Sequence, residues 1–94
     1  MSITYFKPGT RLTFSSVTGV RERLLKALKA DKNAIFCLDL NEVTHCDSAG
    51  LALLIEAKRL CKKKNKVFKV IAVPPNTLSL AEFCGVGSLL ETAE

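Results

Sequence analysis

Tryptophan is absent from this 94-residue chain, and other aromatics are scarce, five Phe and one Tyr. With no cluster of aromatics to stack unpaired bases, the net charge of +5 is not read as a nucleic-acid interface. Histidine occurs once, as His45, and none of the four cysteines, Cys37, Cys46, Cys61 and Cys84, forms a C-x-x-C pair. Structural zinc sites usually need tighter paired ligands, so no metal site is expected and the cysteines read as free thiols in a reducing cytosol. There is no glycine-rich phosphate loop and no recognisable Ser/His/Asp context, which argues against an enzyme and against a bound cofactor. His45 is the one candidate base, and in its polar turn it reads as a solvated loop residue. No apolar run approaches the roughly 18 residues of a membrane span. The start, Met1 to Pro8, lacks the basic-then-apolar order of a secretory signal. These absences predict a soluble, cytoplasmic protein with no direct membrane insertion, held at the inner face of the membrane, if at all, by a partner.

What is present is enough apolar residue, 48%, for one core, so residues 1–94 are read as a single domain. Ile3 to Phe6 and Arg11 to Phe14 flank the turn signal Pro8-Gly9 and predict a hairpin. Val17 to Ala30 places Val17, Val20, Leu24, Ala27 and Leu28 at helical spacing. Ala34 to Leu40 and Val67 to Val73 are short apolar runs suited to buried strands. The helical segment Ala49 to Lys64 lies between them, so together they predict a βαβ unit with parallel strands. After Pro74-Pro75, Asn76 or Thr77 is placed to cap a short helix reaching Cys84, with Gly85 ending it; Val86 to Glu94 adds a brief strand or helix. The run Lys62-Lys63-Lys64-Asn65-Lys66 falls where lysines complement the negative pole of a helix.

The helix after Asp47 carries the candidate site. At 100° per residue, Gly50, Leu53, Leu54, Ala57, Leu60 and Cys61 share one stripe facing a sheet, and Gly50 lets the first turn approach it closely. Leu51 and Ile55 fall outside that stripe, beside Ser48, Lys58, Arg59 and Lys62. The wheel therefore predicts a surface strip: a hydroxyl, two aliphatics and three positive charges, a pattern that suits a protein partner. Asp47 and Ser48 also have a purely structural reading, as N-cap residues. A phosphate on Ser48 would gain from the helix dipole and free first-turn amides while adding roughly −2 charge to the strip.

The segment Leu38 to Leu54, with its strand ending Leu-Asp-Leu and Asp47-Ser48-Ala49-Gly50-Leu51 opening a helix, resembles the STAS family of anti-sigma-factor antagonists and certain transporter subunits. The resemblance spans roughly residues 34 to 86. It implies a mixed β-sheet of about four to five strands with helices packed mainly on one face. Ser48 would match the phosphorylated position of phospho-regulated members, with Asp47 as a loop and capping residue. Where many antagonists carry Gly-x-Leu-Asp ahead of the first helix, this chain reads Phe14-Ser15-Ser16-Val17-Thr18. Gly50-Leu51-Ala52-Leu53-Leu54 looks more like the STAS subunit of Mla-type lipid-asymmetry ABC transporters. That resemblance implies a non-enzymatic module bound to an ABC transporter ATPase through the face around Ser48. The alternative it leaves open is an antagonist of an anti-sigma serine kinase, switched at Ser48.

Overall fold

The computed structural model describes residues 2–90. Its elements are β1 (Ile3–Phe6), β2 (Arg11–Leu12), α1 (Val17–Ala30), β3 (Ile35–Asp39), β4 (His45–Cys46), α2 (Ser48–Lys63), β5 (Val67–Ile71), α3 (Pro75–Phe83) and a 3₁₀ turn (Gly87–Leu90). β1, β3 and β5 form one parallel sheet in the order β1-β3-β5, and β2 pairs in parallel with β4. Five strands are thus present among the described residues, as the resemblance implied. β3-α2-β5 is the parallel βαβ unit that the two apolar runs predicted.

Strand pleating sorts the sheet into two faces. Phe6, Phe36, Leu38, Phe68 and Val70 belong to the apolar cluster that also takes Val20, Leu24 and Leu28 of α1 and Leu53, Leu54 and Ala57 of α2. Phe6 and Phe36 stack there with ring centroids 6.0 Å apart. Ile3, Tyr5, Val67 and Ile71, on alternate positions of the outer strands, are exposed. Central β3 keeps four of its five residues buried, which is why its sequence shows little alternation.

The predicted hairpin is not formed. β1 pairs with β3 and β2 with β4, rather than with each other. The cause is at the bend itself, where Arg23 of α1 donates to the carbonyls of Lys7 (3.4 Å) and Pro8 (2.7 Å), so helix rather than strand holds the turn. Thr10 then offers its carbonyl to the amides of Thr44 and His45, directing the chain toward β4. Neither Asn76 nor Thr77 caps α3. That helix opens on Pro75 after Pro74, whose ring angle suits a first turn, and Thr77 is 2% exposed within it. Gly85 does take a left-handed φ, +78°, at the end of α3. β5 stops at Ile71, before the predicted Val73, because Ala72 turns to φ +57°. Of the predicted tail element, the 3₁₀ turn is seen, and residues 91–94 lie outside the described residues.

Candidate functional site

Asp47 controls the N-terminal end of α2. Its extended backbone places the carboxylate back over the first turn, where Oδ1 accepts the amides of Ala49 (2.9 Å) and Gly50 (3.1 Å). Oδ2 reaches out of the helix and accepts the amide of Phe14 at 2.9 Å. One side chain therefore caps α2 and also fixes the loop ahead of α1. The Phe14 amide does most to hold the Asp47 carboxyl below its ordinary range. The amides of Gly50 and Ala49 and its own amide assist, against the opposing effect of burial.

Gly50 is required by close approach. A Cβ there would overlap the Leu12 carbonyl oxygen and lie 2.8 Å from Leu12 Cβ, so the first turn of α2 rests directly on β2. The Leu12 carbonyl also accepts the amide of Asp47 at 3.0 Å. This contact sets the depth of α2 and leaves Ser48 exposed beside it. The first-turn amides of Ala49 and Gly50 are engaged by Asp47, and that of Leu51 by the Asp47 carbonyl at 3.0 Å. The amides of Ala49, Gly50 and Leu51 are therefore not free to receive a phosphate on Ser48, as the sequence suggested they would be.

The predicted strip is only partly on the surface. Leu51 is 3% exposed and belongs to the core cluster, together with Ala81, Leu89 and Leu90 of the C-terminal elements; this corrects its placement as a surface residue. A wheel drawn against one sheet allows for one covered side, but here α1 and the C-terminal elements add their own apolar groups to that core, so the buried arc is wider. Ile55 is half-buried against the same cluster. Lys58, Arg59 and Lys62 are exposed, but Lys62 lies 14 positions beyond Ser48, about 21 Å along the helix. Ser48 and the cations thus occupy different ends of α2.

A region the sequence reading missed adjoins Ser48 instead. Phe14, taken as the end of a strand, is 82% exposed in the turn that follows β2. It opens a groove of about 530 Å³ between α1 and α2, lined chiefly by Val17, Thr18, Ala49, Ala52 and Leu53. Arg21 and Glu56 close the far side with a bidentate pair, 2.7 Å at its shortest, which lowers the Glu56 carboxyl and raises the Arg21 guanidinium. The available signal was an aromatic stranded between Thr13 and Ser15-Ser16, a composition better suited to a loop than a strand. His45 is exposed in β4, with Nδ1 2.9 Å from the Thr44 hydroxyl.

A parallel sheet, helices over one face and Asp47-Ser48-Ala49-Gly50 opening α2 define a STAS domain. The family profile described as "Mlab, STAS domain" matches residues 9–91, and the chain belongs to that family. The protein named "Intermembrane phospholipid transport system binding protein MlaB" from Haemophilus influenzae is 34% identical over 86 residues, covering 89% of this chain and 81% of that protein. Among solved structures, the unphosphorylated anti-sigma factor antagonist SpoIIAA superposes with a TM-score of 0.76 at 15% identity, over 99% of this chain and 81% of that one. A sulfate transporter family protein from Wolinella succinogenes gives 0.75 at 20% identity, over 95% and 71%. At these identities the two structures establish a shared fold.

Proposed function

We propose that residues 1–94 act as one non-enzymatic STAS domain, a cytoplasmic accessory subunit that binds and supports the ATPase of a phospholipid ABC transporter. The identity to an intermembrane phospholipid transport system protein supports this reading. The structural observation that carries it is exposed Phe14 at the mouth of the α1–α2 groove, held there by the Asp47 carboxylate, with exposed Ser48 the next residue after Asp47. In this reading Phe14, Ser48 and Ile55 meet the partner, and Asp47 and Gly50 hold the Ser48 end in place.

Capture of the ATPase from the native cell tests it. Phe14→Asp and Ile55→Asp are each expected to weaken capture per folded molecule by roughly 30-fold, the effect of losing a central interface anchor. Thermal unfolding stays near that of the parent for Phe14→Asp, and falls for Ile55→Asp because Ile55 is half-buried against the core. Leu51 is unsuited to the test because it is buried. If both variants capture the ATPase normally, this surface is the wrong one. The competing reading, an anti-sigma-factor antagonist switched at Ser48, stands instead if a serine kinase is captured and phosphorylates Ser48.

A further inference from the structure

The opposite end of the two long helices is strongly basic. Lys66 Nζ donates to the carbonyls of Asp31 (3.1 Å) and Asn33 (2.8 Å), tying the turn after α2 to the turn after α1. Both helix C-termini therefore meet at one end of the molecule. Lys26, Lys29 and Lys32 are exposed there from the α1 side, and Lys62, Lys63 and Lys64 from the α2 side. Asp31, the acid in these two turns, is withdrawn: its side chain is 4% exposed and pairs with Lys66 at 3.0 Å. None of the six exposed lysines joins an ion pair among the described residues, where the pairs are Lys7–Glu42, Arg21–Glu56 and Lys66–Asp31.

Two helix C-termini carry about −0.5 charge each, so their poles account for only a small part of six lysines. The excess faces solvent and suits an anionic surface. Ile3 and Val67, register partners of Ile35 at the starts of β1 and β5, are 40% and 47% exposed, and the Val67 amide is tied to Ala34 of the same turn. Exposed aliphatics at the same end as exposed lysines are the composition of a surface that rests on lipid headgroups. Neither turn contains an aromatic side chain to stack on bases.

We infer that this basic end is a peripheral docking surface for the anionic phospholipid headgroups of a bilayer. It lies about 24 Å, the length of the 16-residue α2, from the Ser48 end, so both surfaces can be occupied together. The inference does not depend on the identity of the protein partner.

Sedimentation of the purified chain with phosphatidylglycerol vesicles and with phosphatidylcholine vesicles tests it. Binding is expected to phosphatidylglycerol alone and to weaken steeply as salt is raised. With roughly fivefold in partitioning contributed by each lysine close to an anionic surface, Lys62→Gln, Lys63→Gln and Lys64→Gln combined are expected to reduce binding on the order of 100-fold. Phe14→Asp, at the other end, is expected to leave vesicle binding unchanged, and far-ultraviolet circular dichroism verifies that each variant is folded. Equal binding to both vesicles, or undiminished binding by the triple variant, overturns the inference. Stronger retention on duplex DNA than on phosphatidylglycerol at the same salt also overturns it and assigns the end to nucleic acid.

Discussion

The two ends of the helix pair are closed by the same device and present opposite surfaces. At one end Asp47, the cap of α2, reaches across to the Phe14 amide ahead of α1. At the other, Asp31 follows α1 and is reached by Lys66 from beyond α2. Each carboxylate joins the two helices through a loop. Asp47 uses backbone amides, which leaves the neighbouring side chains Phe14 and Ser48 exposed. Asp31 takes one backbone amide, that of Asn33 at 3.1 Å, and otherwise side chains: it accepts from the Thr4 hydroxyl at 2.5 Å and pairs with Lys66, while Asn33 Nδ2 donates to Thr4 at 2.7 Å. That network draws one lysine inward and leaves its neighbours outside. What a closing carboxylate bonds to thus decides whether its end offers an apolar contact or a field of charge.

The comparison is broken most severely by Asp31→Ala. Removing the carboxylate leaves the Lys66 side chain, 9% exposed, without its counter-charge, and a loss of about 3–5 kcal/mol in urea denaturation is expected. ATPase capture per folded molecule should not change, because the Ser48 end is built separately; a loss of capture would show that the two ends are coupled. Gly50→Ala acts at the other end, with an expected loss of about 1–3 kcal/mol from overpacking against Leu12. The sign is informative, since in an open helix interior the same change stabilises by about 1 kcal/mol. A stabilised variant would mean that α2 does not rest on β2.

The smallest effect expected is on acid sensitivity. Burial alone would raise the Asp31 carboxyl, but the Thr4 hydroxyl, the Asn33 amide and Lys66 outweigh it, so both Asp31 and Asp47 titrate below their ordinary range. Protonation therefore favours the unfolded chain. The stability the two carboxylates contribute is complete above the unfolded value of about 4 and is lost as pH falls through the folded values. Asp47→Asn is expected to flatten this decline without abolishing it, leaving the share of Asp31, as read from unfolding midpoints at several acidic pH values. An unchanged slope would mean that Asp47 contributes nothing through its charge.

Much of this architecture was legible along the chain. α1 spans the residues its 3.6-residue spacing marks, and β3 and α2 fall within a residue of their expected bounds. The cap at Asp47 and the close approach at Gly50 follow from local residue chemistry. Phe14 was less visible because its exposure depends on β2 ending at Leu12, which the pairing with β4 decides.

Sequence alone therefore determined the helices, the central strands, the STAS signature and the cap, all of which depend on neighbours a few positions apart. Tertiary structure alone decided that Leu51 is buried and that β1 and β2 part company. It also decided that Lys66, from a run placed to complement the negative pole of a helix, pairs with Asp31 35 positions away. The reason is physical: periodicity reports which side of one element is apolar, whereas burial and charge pairing depend on which other elements arrive to cover it.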